Sequence, residues 1–292
     1  MNRPKCPLKL ILFGEHAVLN GGRCIAVAIN MYASMVDVKR SYFVRLEDKK
    51  YDYFHVSIKD HKLKLVADIR EECSVISVDT YFGCGLGTSA SISLLLSFFK
   101  NRSFLRFELV KDTVVQAKSI LEQAQDFEHV FHYKSSGVDV CTAYYGGLIS
   151  FKEKTVEEMD YSYLKQFKIL IYDSKISKQT GKVVKSEMNN KKNNISKLIL
   201  LSEKVYNLLK GDFELRSLYK YIREAEDIYE DMGLVPDLMK DEVRRLRNLG
   251  IEAKISGAGR GGHLFTIVDK EMFLEGWQEV KIDQKGFKPF CD

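Results

Sequence analysis

Apolar positions fall into two rhythms along the 292 residues. In the N-terminal part they form short runs bounded by polar turns. LKLILF (8–13) and CIAVAI (24–29) predict two strands, and the loop between them, GEHAVLNGG, ends in Asn20-Gly21-Gly22, a turn signal. YFHVSI (53–58) and KLKLVA (62–67), joined by KDH, predict two more. From residue 88 the period lengthens, and 88–100 and 108–127 repeat apolar residues at helical spacing. SSGVD (135–139) then leads into YYGGLISF, which reads as a turn and a strand. FKILIY (167–172) predicts a buried strand opening a new unit. Helical segments follow over 178–210 and 214–231, and then LMKDEVRRLRNLG, a helix stopped by Gly250. AKISGAGRGGHLFTIV closes the pattern as strand, glycine-rich turn and strand. This alternation, with a shift near residue 160, predicts an α+β protein of two domains, 1–160 and 161–292.

Composition narrows the function classes. A chain 45% hydrophobic and 29% charged has the balance of a globular protein, and no apolar run reaches the length of a membrane span. The opening MNRPKCPLKLILFGEH has only a short apolar run and no small-residue cleavage site, so a secretory leader is not expected. The six cysteines are scattered without C-x-x-C spacing, the usage of reduced thiols in a cytoplasmic protein. The net charge of +5 is spread along the chain, and no basic motif is interleaved with aromatics, so nucleic acid is not an expected partner.

Candidate chemistry begins at GCGLGTSASISLLL (83–96). Gly83, Gly85 and Gly87 allow sharp turns before a helix, and Thr88 and Ser89 put hydroxyls on its first turn. A loop of this kind gathers free N–H groups at the positive end of a helix dipole, which favours phosphate, although a tight packing turn has the same composition. A P-loop would carry a lysine just before the hydroxyl residue, and here none follows until Lys100. A second flexible loop, SGAGRGG (256–262), is either a hairpin turn or a backbone that approaches a ligand. Glu128 and Asp139 could divide the work of metal ligand and catalytic carboxylate; a solvated helical Glu and a turn-capping Asp are the alternatives.

Together PLKLILFGEHAVLNGG, GCGLGTSAS and KISGAGRGG, with Glu128…Ser136-Gly137-Val138-Asp139…Gly146-Gly147 between them, resemble the motifs of the GHMP small-molecule kinases, and most nearly those of its mevalonate kinases. The resemblance implies an N-terminal ATP-binding domain of the ribosomal-S5-like type and a ferredoxin-like C-terminal domain, with the site between them. It implies ATP as co-substrate, Mg2+ held by Ser89 and Glu128, and phosphates wrapped by Gly83, Gly85, Leu86, Gly87, Thr88 and Ser89. Asp139 would be the catalytic carboxylate, and Lys9 would supply the cation missing from the loop. His16, Thr180, Gly257, Ala258 and Gly259 would lie against the acceptor, mevalonate. A homodimer is known in the family. Tyr81 stands where the family has proline, Thr88 replaces a serine, Lys134-Ser135 removes a second proline, and Arg260 interrupts the last glycine run. Arg260 is expected either to point outward to solvent or to reach a phosphate. The alternatives are another GHMP kinase, acting on phosphomevalonate or a sugar, and a non-catalytic metabolite-binding protein of the same fold.

Overall fold

A computed structural model describes residues 4–37, 43–47, 53–59, 62–66, 73–104, 113–131, 135–176 and 191–287. Strand β1 (Lys5–Phe13) is buried from Cys6 onward on both faces, which is why its sequence is a nearly unbroken apolar run. It pairs antiparallel with β2 (Cys24–Asp37). β2 runs eight residues beyond the predicted CIAVAI, because it finds partners along its whole length: β1 throughout, β7 (Leu148–Lys152) near its start and β6 (Ser74–Val78) near its end. Its second half alternates buried and partly exposed positions, so the apolar run ends although the strand continues.

The first sheet has the order β5 (Lys62–Val66), β4 (Tyr53–Lys59), β3 (Phe43–Glu47), β6, β2, β7 and β8 (Thr155–Met159), with β1 on β2. Helices α1 (Thr88–Phe104), α2 (Thr113–Phe131) and α3 (Val138–Tyr145) accompany it. α3 corrects the reading of YYGGLISF. Tyr144 and Tyr145 end a helix, and only Leu148 onward is strand. Tertiary burial decides this, since the helix sinks Val138, Val140, Cys141 and Ala143 into the interior. The second sheet, β10 (Lys254–Ile255), β11 (His263–Asp269), β9 (Phe167–Asp173) and β12 (Gln278–Val280), is antiparallel throughout. It is joined by α4 (Lys191–Lys210), α5 (Leu215–Asp231) and α6 (Asp237–Arg247). The start of the predicted helix at 178–190 lies outside the described residues.

One apolar cluster unites Leu8, Leu10, Ile25 and Val27 of the first sheet with Ile169, Ile171 and Phe265 of the second and with Leu201 and Ile222 of α4 and α5. β1 therefore stands at the junction of both sheets, and whatever its loops carry lies between them. Among the described residues no helix is long and apolar enough to cross a membrane, and the five described cysteines are all free thiols.

Candidate active site

Lys9 lies in the middle of β1, yet only 2% of it is exposed. Its stem passes over the glycine loop. A Cβ built on Gly87 would fall 2.7 Å from both Cγ and Cε of Lys9, and Gly87 has φ +73°. Only glycine combines that left-handed backbone with room for the lysine. The main chain is stitched at the same place, with Lys9 N–H donating to the Leu86 carbonyl at 2.9 Å. The Ser91 hydroxyl, one turn into α1, donates to the Pro7 carbonyl at 2.7 Å. Strand, loop and helix start are thus held as one unit.

The Lys9 ammonium reaches 3.1 Å from Oδ2 of Asp139 and donates to the Gly85 carbonyl at 3.3 Å. Asp139 is in the first turn of α3, which begins after Gly137 at φ +85°. The turn that presents it is braced by Ser135. That hydroxyl accepts the Gly137 N–H at 3.1 Å and donates to Oε2 of Glu128 at 2.5 Å. A side chain thus fixes this turn.

Glu128, near the end of α2, is 1% exposed. Burial first, and then the nearby negative charge of Asp139, push its carboxyl up to about 8, against the opposing pull of the Ser135 hydroxyl and the Lys9 ammonium. Ionising both carboxylates beside one lysine would leave an excess of negative charge in a poorly solvated place, which is why Glu128 holds its proton and why an added cation would favour its ionised form. Among the described residues no group of three or more His, Cys, Asp or Glu could by itself hold a metal. Mg2+ is commonly bound by one or two protein oxygens with substrate phosphates completing its shell, so Glu128 and the hydroxyl of Ser89, which faces the same cleft, fit that ion.

The second glycine loop is fastened to the end of β1. Ser256 Oγ donates to the Ile11 carbonyl at 3.1 Å and accepts the Ile11 N–H at 3.2 Å. Oε1 of Glu15 accepts from Gly257 N–H at 3.0 Å and from the Lys254 ammonium at 2.9 Å. His16 Nε2 lies 3.2 Å from the Ala258 carbonyl; a carbonyl can only accept, so this nitrogen carries the proton. Arg260 has φ +65° and donates its N–H to the Leu234 carbonyl; it is half-buried and lies outside the cleft wall.

A cleft of about 350 Å³ brings together Lys9, Gly83, Gly85, Gly87, Thr88, Ser89, Glu128, Asp139, Gly257 and Ala258. Three predicted residues are not part of its lining. Leu86 is buried, His16 is bonded to the Ala258 carbonyl, and Gly259 packs on Leu234. Thr180 lies outside the described residues. Sequence reasoning missed Phe82 and Phe131, which give the cleft apolar wall, as well as Ser135 and Lys254. For Lys254 a signal existed, since a lysine between Ala253 and Ile255 in a buried strand requires an acidic partner. Nothing local marks Ser135.

Residues 52–147 match the GHMP kinases N terminal domain. The chain is similar to the mevalonate kinase of Archaeoglobus fulgidus, at 25% identity over 273 residues, covering 91% of this chain and 92% of the relative. It is also similar to that of Methanocaldococcus jannaschii, at 26% over 306 residues and 94% of each chain. A crystal structure of mevalonate kinase shares the fold with a TM-score of 0.71 at 18% identity, covering 98% of this chain and 100% of the other. The same fold is found, at a TM-score of 0.65 and 13% identity, in a galactokinase of Lactococcus lactis complexed with galactose, over 92% of this chain and 86% of that one. The resemblance read from the motifs, and the α+β class with it, are borne out.

Proposed function

The chain carries a GHMP kinase N-terminal domain and the fold of the mevalonate kinases, and from that footing we propose that it transfers the terminal phosphoryl group of ATP to the primary hydroxyl of mevalonate, giving 5-phosphomevalonate. The reading is carried by the Lys9–Asp139 pair, held at 3.1 Å on the wall of the cleft that the phosphate-type glycine loop also lines. Residues 1–160 supply the nucleotide side, and residues 161–292 close the acceptor side through the loop 256–262.

Each residue then has a definite task. The N–H groups of residues 83–89 receive the phosphates, at a helix start where the dipole favours anions. Asp139 orients the acceptor hydroxyl and takes its proton as the oxygen attacks phosphorus in line with the departing ADP. Lys9 stands beside both Asp139 and the Gly85 carbonyl, so its charge faces the place where negative charge moves during transfer. Mg2+, when bound through Ser89 and Glu128, supplies neutralisation of the phosphate oxygens. Gly257 and Ala258, with His16 bonded to the Ala258 carbonyl, border the acceptor. Phe82 and Phe131 exclude water from one wall.

The test is ADP release from Mg-ATP in a coupled assay against mevalonate, phosphomevalonate, galactose and homoserine. Saturable turnover with mevalonate alone is the expected result. Turnover with a different acceptor retains the phosphoryl-transfer chemistry and replaces the substrate. No turnover with any of them, while nucleotide still binds, overturns the enzymatic reading.

A further inference from the structure

Tyr81 takes the place of a family proline just before the glycine loop, and the reaction described above gives it no task. Its hydroxyl donates to Oδ1 of Asp173 at 2.6 Å, so a residue at the mouth of the first loop is bonded to the last residue of β9 in the second sheet. Asp173 is in register with His263 on the neighbouring strand β11. His263 is buried, and its Nδ1 lies 2.9 Å from the Cys84 carbonyl, an acceptor, so Nδ1 carries the proton and donates. The rings of Tyr81 and His263 stack at 6.4 Å with 28° between their planes. Two residues paired across the inner strands, at one end of the second sheet, thus grip the loop on either side of Phe82-Gly83.

The acceptor carboxylate of the Tyr81 contact is itself fixed. Oδ1 of Asp173 also accepts the Lys175 N–H at 2.9 Å, and Oδ2 pairs with the Lys175 ammonium at 2.7 Å. Burial pushes the Asp173 carboxyl up, but the hydrogen bonds from Lys175 and Tyr81 outweigh it and hold the group below its ordinary value, so the Tyr81 bond is charge-assisted. The next residues fasten the other glycine loop. Ser174 donates to the Gly262 carbonyl through its N–H at 3.1 Å and its hydroxyl at 2.7 Å, and Gly262 N–H donates to the Ile176 carbonyl at 2.8 Å.

We propose that Tyr81, Asp173 and His263 are positioning residues forming a latch that pre-orders the first glycine loop for nucleotide; the inference rests on the kinase reading. The loop has left-handed glycines at 83, 85 and 87, and such a backbone has much freedom to lose on ordering. A proline at 81 would restrict that freedom by fixing φ. Tyrosine cannot, and the latch restores the restriction through a side chain bonded to the other sheet. Its loss leaves the binding groups intact but lowers the fraction of loop in the competent shape, which weakens apparent affinity by that fraction.

The test is Tyr81→Phe in the full chain. The phenyl ring keeps the stack on His263, and Asp173 keeps both Lys175 donors. Calorimetric titration with Mg2+ and a non-hydrolysable ATP analogue should give a Kd about tenfold higher than wild type, the scale of losing one hydrogen bond to a charged group. The KM for ATP should rise in parallel, with kcat and the Kd for mevalonate within about twofold. Asp173→Asn retains an oxygen that can accept from Tyr81, so its nucleotide affinity should fall between wild type and Tyr81→Phe; it also carries the test if Tyr81→Phe does not fold. A Tyr81→Phe Kd within twofold of wild type overturns the latch alone. So does a uniform weakening of both substrates together with a lowered Tm, which is the signature of a merely structural role. A wild-type chain that binds no ATP analogue overturns the kinase reading, and the latch falls with it.

Discussion

Replacing Lys254 by Met strands a carboxylate. In the native protein the Lys254 ammonium lies 2.9 Å from Oε1 of Glu15, with side-chain exposures of 1% and 3%. It also donates to the Ile255 carbonyl at 2.7 Å and sits 5.2 Å from the ring centres of both Tyr229 and Phe265. Methionine fills nearly the same volume, so the apolar contacts survive and the charge is removed. Glu15 then keeps the Gly257 N–H but loses its counter-ion. Breaking a buried pair from one side costs about 3–5 kcal/mol, against a total of about 5–15 kcal/mol for a typical domain. Urea unfolding followed by the single tryptophan, Trp277, packed 5.6 Å from Tyr172 in the second sheet, reads this loss directly. The double variant Glu15→Gln/Lys254→Met discharges the site and keeps an oxygen for Gly257. It should cost at least about 2 kcal/mol less than Lys254→Met alone. A single variant within about 1 kcal/mol of wild type, or a double variant no better than the single, would refute the reasoning.

Three further outcomes follow from the geometry. Asp139→Asn should lower turnover by about a hundredfold or more, as loss of a general acid–base group does, while calorimetry still detects nucleotide binding. Gly87→Ala places a Cβ 2.7 Å from the Lys9 stem at φ +73°; activity should drop roughly tenfold or more for a stability loss of about 1–2 kcal/mol, and unchanged kinetics would mean that the position of Lys9 does not matter. Glu226 is buried, its carboxyl is pushed up to about 7 chiefly by burial, and its Oε1 has no partner among the described residues. A raised carboxyl stabilises the fold below about 4.5 and loses that contribution as pH rises through about 7. Glu226→Gln, which can still accept the Ile255 N–H, should therefore flatten the Tm-versus-pH curve across that window and raise Tm at pH 8. A curve parallel to wild type would show that Glu226 does not titrate there.

Much of this protein is legible in its sequence because the relevant physics is local. Helix period, alternation and turn residues are set within a few positions, and they located β1, β9, β11, α1 and α5. The left-handed φ values at Gly83, Gly85 and Gly87 are likewise a property of single residues, so the phosphate-type loop could be read before any fold was known. The motif residues suggested a chemistry only when taken together, through the resemblance they carry. What the tertiary structure decided lies in contacts whose partners are remote and whose cost depends on burial. YYGG reads as a turn by composition, and its tyrosines instead end α3, since burying Val140 and Ala143 outweighs local preference. β3, β6 and β8 are five-residue strands that only their neighbours make into a sheet. Lys254 and Glu15 stand 239 residues apart, and Tyr81 and Asp173 stand 92 apart. No local pattern encodes those pairings, because strand register and shared burial, fixed only when both sheets close over one core, determine which charge meets which.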